Sequence, residues 1–238
     1  MKSIISFITL VALLCFGFTT HKNTDHLDSG YHFVSNGLNN DLNQLWEPGQ
    51  EIWIKFIGGT AFQHRQVKKY AAHWQEHVSL KFRFGHYTWA HVRISFNQYD
   101  GHWSYIGRES TRNQGSPSMN IALNNNDSMT RWSRVVLHEF GHMLGLVHEH
   151  SNPCANPITF KEEKEVIEYY KRTQGWTKEQ IIRNVLTKQY DATYCTPFDP
   201  ESIMLYNIPS NLLIDEIHLI ENTKLSIGNK AFVKFLYP

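Results

Sequence analysis

The chain has 238 residues, of which 41% are hydrophobic and 19% are charged, and its formal net charge is +1 at pH 7. This is the balance of a globular protein, and the length suits one catalytic domain with a sizeable core. A charge so close to neutral argues against nucleic acid or an anionic membrane surface as a partner, because both attract strongly basic proteins.

Residues 1–20 differ in composition from the rest of the chain. Lys2 precedes an apolar run over residues 4–18, after which the sequence turns polar. The run is shorter than the ~20 residues that span a bilayer, so it predicts a cleavable signal peptide, a secreted, periplasmic or extracellular protein, and no stable membrane insertion after cleavage. Cys15 leaves lipoprotein anchoring as a minor alternative, although Leu14 stands where such signals usually carry a small residue.

Residues 21–44 are polar and rich in asparagine turn signals, which indicates a linker or a short pro-segment before a catalytic domain over residues 45–238. Within that domain Cys154 and Cys195 are an even pair, and in an oxidising compartment they predict a disulfide. Such a bridge would stabilise the fold by roughly 4 kcal/mol through loop-closure entropy. Two buried free thiols are the alternative, since a sequence does not give the distance between the sulfur atoms.

The first part of the domain predicts strands around one helix. Residues 51–57 place Ile52, Ile54 and Phe56 on one face of a strand, and a long amphipathic helix follows from a Thr60 N-cap. Residues 80–84 and 92–96 alternate strictly, so each is expected to pack one face on the core. This order predicts a twisted mixed sheet with a crossover helix.

Residues 100–115 are rich in glycine, serine and aromatic residues and predict a loop, in which Trp103 and Tyr105 either line a substrate rim or pack over the sheet. Residues 118–123 alternate again and predict another strand. A helix with a Thr130 N-cap follows. Its expected core contacts are Trp132, Val135, Val136, Phe140 and Met143.

This helix carries the residues that indicate chemistry. His138 and His142 are four positions apart, so both imidazoles can point at one metal ion. Glu139 lies beside them, where a carboxylate can accept a proton from a water that the metal activates. Gly145 can adopt a left-handed conformation that ends the helix, and His148 can then return as a third ligand. A histidine-rich surface helix, the alternative, explains neither the glutamate nor the glycine.

Three further helices are predicted beyond these residues. Two of them span residues 160–173 and 177–186, with a break at Gly175. The third, within residues 225–236, is expected to brace the histidine-bearing helix from behind. The apolar residues that support it are Ile227, Ala231, Phe232 and Phe235.

The spacing of these residues resembles that of the metzincin zinc peptidases, and among them the astacin branch. The matching stretch is His138-Glu139-x-x-His142-x-x-Gly145-x-x-His148-Glu149. A second stretch, Ser202-Ile203-Met204-Leu205-Tyr206, is similar to the Met-turn of that branch. Leu205 stands where the family usually has histidine, which indicates a divergent, bacterial-type branch.

The resemblance implies an α+β fold: a twisted mixed five-stranded sheet with long helices, a zinc helix, and an irregular C-terminal subdomain that ends in a helix. It implies that residues 118–123 border the cleft, where a peptide substrate would add a strand. It also implies that Met204 lies beneath the metal and that Tyr206 is a switchable ligand that supports the oxyanion. Astacin pro-segments carry an inhibitory aspartate, for which the candidates are Asp25, Asp28 and Asp41, the alternative being a plain flexible leader.

We therefore predict a secreted zinc endopeptidase with one Zn²⁺ and Glu139 as the general base, acting on a protein or peptide substrate. Two alternatives remain open: a catalytically inactive zinc-bearing binding module, and a hydrolase of a specialised amide such as a cell-wall peptide. Retention of Glu139 favours the enzyme, because a binding module can lose the base and keep the histidines. The sequence indicates no subsite specificity and no oligomeric state.

Overall fold

A computed structural model of the chain describes residues 44–152, 158–187, 196–215, 217 and 219–238. The predicted signal peptide, nearly all of the predicted linker, and Cys15, Cys154 and Cys195 lie outside these ranges, so the disulfide stays a prediction. Among the described residues no helix combines the length and apolar character that a membrane crossing requires. The elements are β1 (Glu51–Ile57), α1 (Ala61–Gln75), β2 (Lys81–Phe84), β3 (Val92–Ser95), β4 (Trp103–Ser104), β5 (Met119–Asn120), α2 (Met129–Met143), α3 (Glu163–Gln174), α4 (Lys178–Ile181) and α5 (Ile227–Leu236).

The strands form one five-stranded sheet in the order β2-β1-β3-β5-β4. β2, β1, β3 and β5 are parallel neighbours, whereas β4 pairs with β5 in the antiparallel sense. The crossover from β1 to β2 runs through α1, whose N-cap is Thr60 with a complete capping box. The predicted mixed sheet, crossover helix and N-cap are therefore confirmed.

The edge of the sheet differs from the prediction. The sequence predicts a loop over residues 100–115 and an edge strand over residues 118–123, but β4 is the edge strand and β5 lies inside the sheet. The buried Asn120 side chain helps to hold β4 in place, since its amide donates to the carbonyl oxygens of Asn97 and Gly101. A strand of two residues is too short to show any alternation, which is why the sequence pattern does not reveal it.

β3 is buried on both faces, although its alternation predicts one packed face and one solvent face. Arg93 is fully buried. Its guanidinium donates to the carbonyl oxygens of Ala90, Ser110, Arg112 and Ser116, so the segment before β5 covers the second face of the sheet. A buried charge is tolerated here because main-chain oxygens satisfy its donors.

α2 begins two residues earlier than predicted, because its N-cap is Ser128 and not Thr130. The Ser128 hydroxyl accepts a hydrogen bond from the Arg131 amide, and Ser128 itself is extended. The predicted apolar contacts of α2 are all buried.

Two tryptophan side chains bond to the main chain of α2. The Trp74 indole nitrogen donates to Leu137 O at 2.9 Å, and the Trp46 indole nitrogen donates to Met143 O at 2.8 Å.

The C-terminal helices are confirmed as elements, with two differences in detail. α4 continues as a π-helical turn over Ile182–Leu186. On α5 the four apolar residues that support the helix do not form its buried face: Ile227 is 73% exposed and Phe235 is 37% exposed, Ala231 is also exposed and Phe232 is only half-buried. The inward residues are Asn229, Val233 and Leu236.

A polar residue sets the rotation of α5. The Asn229 Oδ1 atom accepts hydrogen bonds from the amides of Ile203 and Ser226, and its Nδ2 donates to Ser202 Oγ. These bonds turn Asn229 inward, and Ile227 and Phe235 outward. Just beyond the helix, the Tyr237 hydroxyl donates to Leu144 O at 2.7 Å, so this end of the chain braces the end of α2 as predicted.

Candidate metal centre

Three histidines meet at the C-terminal end of α2. The ligand nitrogens of His138, His142 and His148 all lie within 4.8 Å of one another, and the Nε2 atoms of His142 and His148 are 3.2 Å apart. Two nitrogens bound to one tetrahedral zinc ion, each at about 2.0–2.1 Å, are about 3.3 Å apart. The donor set and this separation therefore fit one zinc ion.

Main-chain carbonyls orient the two rings on α2. His138 Nδ1 lies 2.9 Å from Ile203 O, and His142 Nδ1 lies 2.8 Å from Leu146 O. A ring nitrogen that donates to a carbonyl carries the proton, which leaves the Nε2 lone pair of each ring for a metal. Burial also lowers the pKa of His142 to about 4, and a neutral imidazole is the form that binds zinc.

The turn after α2 returns the chain for the third histidine. Gly145 has a φ of +98°. Its amide donates to His142 O and the Leu146 amide donates to Gly141 O, which is the bond pattern of a Schellman motif. Any side chain at Gly145 would be strained by this φ and would also press on Leu45, 2.7 Å from the position of a Cβ. The predicted left-handed glycine is confirmed.

Glu139 is buried beside the histidines, with 4% of its surface exposed. Burial raises the pKa of its carboxyl group to about 8, while the nearby Arg134 cation acts in the opposite direction. Its Oε2 atom has no hydrogen-bond partner among the described residues. A buried polar atom of this kind is uncommon in proteins, and here it belongs to a carboxylate on the same helix as two of the histidines.

The Met-turn lies directly against the ligand-bearing residues. Met204 is buried. Its carbonyl accepts a hydrogen bond of 2.9 Å from the amide of Glu149, which directly follows His148 in the chain. The Glu149 carboxylate accepts hydrogen bonds from the Asp199 amide and from Asn152. Glu149, the residue after the third histidine, therefore bonds both to the Met-turn and to the segment that leads into it.

Tyr206 lies next to the third histidine. Its ring centroid is 5.3 Å from that of His148, 5.7 Å from that of His150 and 6.2 Å from that of Trp176. Burial raises the pKa of its phenol to about 12. The same contacts suit a residue of the catalytic site and a packed aromatic residue, so kinetic measurements are needed to separate the two roles.

Sequence reasoning missed one residue of the site, Arg134. It lies four positions before His138 on α2, and its guanidinium contacts both the first histidine and the Met-turn. The only signal in the sequence is a basic residue on the ligand-bearing face of the helix. That signal is weak, because charged residues are common at helical positions.

Gly141 provides a test of the contact between α2 and the Met-turn. A Cβ at this position would occupy the space of Met204 Sδ and would lie 3.4 Å from Trp74. We therefore expect Gly141→Ala to destabilise the protein by about 1–3 kcal/mol through overpacking, measured by denaturant unfolding. Gly115→Ala is the matched control, because a Cβ there meets nothing within 4 Å and no positive φ is required. Equal stability of the two variants would show that Met204 does not pack against the helix as described.

Comparisons with known proteins agree with this arrangement. The family model described as Astacin (Peptidase family M12A) matches residues 38–233. Zinc metalloproteinase nas-38 of Caenorhabditis elegans is 26% identical over 204 residues, which cover 83% of this chain and 25% of that protein. Astacin-like metalloprotease toxin 2 of Loxosceles intermedia is 26% identical over 164 residues, which cover 69% of this chain and 56% of that protein.

Among solved structures, the structure of myroilysin matches with a TM-score of 0.77 and 30% sequence identity. The match covers 82% of this chain and 96% of the myroilysin chain. In contrast, the chain spans less than two thirds of the length of either the nematode or the spider relative.

Proposed function

The chain belongs to the astacin family, peptidase family M12A, and on this premise we propose that it is a secreted zinc-dependent endopeptidase with Glu139 as its general base. Peptidases of this family use one catalytic zinc ion. The observation that carries the proposal is the cluster of His138, His142 and His148 around one point, with a buried carboxylate on the same helix.

The roles of the chain's own residues follow from their positions. When bound, a zinc ion supplies a Lewis acid that polarises the scissile carbonyl and lowers the pKa of the attacking water. Glu139 accepts a proton from that water and later delivers it to the nitrogen of the leaving amine. Tyr206 donates a hydrogen bond to the developing oxyanion. Met204 is a structural floor, since a thioether is a poor ligand for zinc that already has three imidazoles.

The proposed substrate is a protein or peptide chain. β4 is one of the two edge strands of the sheet, so its main chain can pair with an extended substrate. Near this edge Tyr105 is 37% exposed and Trp103 is half-buried, which favours a substrate rim over burial in the core. The apolar leader supports an extracellular location for the mature protein, and the net charge of +1 gives no attraction to nucleic acid.

A proteome-derived peptide library with mass-spectrometric readout tests this function. We expect the zinc-loaded protein to cleave internal peptide bonds and a zinc chelator such as 1,10-phenanthroline to abolish cleavage. After the chelator is removed, one equivalent of Zn²⁺ should restore it. A protein that binds one zinc ion but cleaves no peptide would support the inactive binding module instead. Cleavage confined to cell-wall peptides would support the specialised amide hydrolase.

A further inference from the structure

Arg134 joins α2 to the Met-turn through two main-chain oxygens. Its Nη1 atom donates to Ile203 O at 2.8 Å, and its Nη2 atom donates to Leu205 O at 2.9 Å. These two carbonyls flank Met204 in the sequence. A guanidinium is planar and presents its donors in a fixed fork, so the two bonds fix the position and the orientation of the turn.

The same guanidinium lies beside the first histidine. Arg134 Nη1 is 2.9 Å from His138 Nδ1, and both nitrogens lie within hydrogen-bond distance of Ile203 O. Arginine has no acceptor and stays protonated, whereas a carbonyl oxygen has two lone pairs. Both nitrogens therefore donate to Ile203 O. Donation from Arg134 to His138 would instead require the proton on Nε2, where it would block a metal.

Within the described part of the chain, Arg134 forms no ion pair. No carboxylate oxygen there lies within 4.0 Å of its nitrogens, whereas six ion pairs form between other residues. Its hydrogen bonds go to carbonyls of a single turn. The Nε atom of Arg134 is buried without a hydrogen-bond partner among the described residues, so its hydrogen bonds to the Met-turn come from the two Nη atoms alone. A partly buried cation is unfavourable unless hydrogen bonds compensate it, and the bonds to Ile203 O and Leu205 O are the ones that do so.

We propose that Arg134 is a positioning residue of the zinc site. Through Ile203 O it holds the ring of His138 with Nε2 directed at the metal, and through Leu205 O it holds the main chain that carries Tyr206. This inference rests on the proposed function, since it treats His138 as a ligand and Tyr206 as a donor to the oxyanion. Arg134 lies outside the histidine motif and would position both a metal ligand, His138, and the proposed oxyanion donor, Tyr206.

Arg131 is a matched control on the same helix. Its guanidinium pairs with Asp127 at 2.7 Å, and its side chain is 58% exposed. Arg131→Met and Arg134→Met remove the same charge and add the same side chain to the same helix. They differ in whether the Met-turn loses its two hydrogen bonds.

The experiment measures zinc affinity by competition with a chromogenic chelator, the visible spectrum of the Co²⁺-substituted protein, and kcat and KM on a peptide. We expect Arg134→Met to bind zinc ~10- to 100-fold more weakly, as is typical when a hydrogen-bonding partner of a ligand is lost. Its Co²⁺ spectrum should change, and kcat should fall with KM nearly constant. Arg134→Lys should be intermediate, because an ammonium lacks the fork, and Arg131→Met should match the wild type.

A folded Arg134→Met protein with lower thermal stability but wild-type zinc affinity and Co²⁺ spectrum would overturn the inference, since a merely structural residue gives that result. If neither Arg134 variant folds, the wild-type protein decides: its buried guanidinium ¹⁵N signals should shift when zinc is removed, and unchanged signals would also overturn it. Wild-type cleavage tests the proposed function separately. A wild type that cleaves peptides while the Arg134 variants retain full activity and affinity refutes the positioning role alone.

Discussion

Glu139→Gln should lower the turnover of a peptide substrate at least ~10²-fold while the protein keeps one equivalent of zinc. Glutamine has nearly the same shape as glutamate, but its amide cannot accept the proton that the attacking water must lose. Glu139 is buried, with 4% of its surface exposed, so a solvent water has little access to accept the proton in its place. The three histidines are unchanged, and for that reason metal content should be unaffected.

Three measurements on Glu139→Gln are needed together: kcat on a defined peptide, zinc content by atomic emission, and unfolding in denaturant. Glu165→Gln removes the same charge from an exposed position on α3 and should leave kcat unchanged. A zinc-loaded Glu139→Gln protein that cleaves at the parental rate would exclude Glu139 as the base. Loss of zinc together with activity would show that the carboxylate holds the site together and does not only transfer protons.

The histidine site could be predicted from the sequence because almost all of its determinants are local. His138 and His142 share one face of α2, and the Schellman turn at Gly145 is encoded within the next three residues. Such features depend on the helical repeat and on the conformational freedom of glycine. The order of strands and helix predicts a mixed sheet, but its five strands follow only from the family resemblance, because alternation does not reveal a strand as short as β4.

The features that were missed depend on contacts between distant parts of the chain. Arg134 bonds to carbonyls 69 and 71 residues later, and Asn229 bonds to the Ile203 amide 26 residues earlier. Neither contact leaves a periodic signal. On α5 the hydrogen bonds of Asn229 override the hydrophobic pattern, which is why Ile227 faces solvent. Burial of Arg93 likewise depends on carbonyls of a segment that follows it in the chain.

Tyr206→Phe should give a folded, zinc-containing protein whose kcat is ~10²-fold lower and whose KM is little changed, a loss of about 3 kcal/mol in transition-state stabilisation. The phenol donates to the oxyanion only when the tetrahedral species forms, so substrate binding should survive its removal. Phenylalanine keeps the ring, and the contacts of that ring with His148 and Trp176 should also remain.

Tyr170→Phe is the matched control for this change. The Tyr170 ring stacks on the same Trp176 at 5.5 Å, and its hydroxyl is buried without a hydrogen-bond partner among the described residues. Removing that hydroxyl should leave kcat unchanged, because it makes no hydrogen bond with a described residue and has no part in the proposed mechanism. If Tyr206→Phe also retains the parental kcat, Tyr206 is a packed aromatic residue like Tyr170, and the histidines and Glu139 act without a phenol donor. If Tyr206→Phe instead raises KM and leaves kcat constant, the hydroxyl binds the substrate as strongly before the reaction as during it.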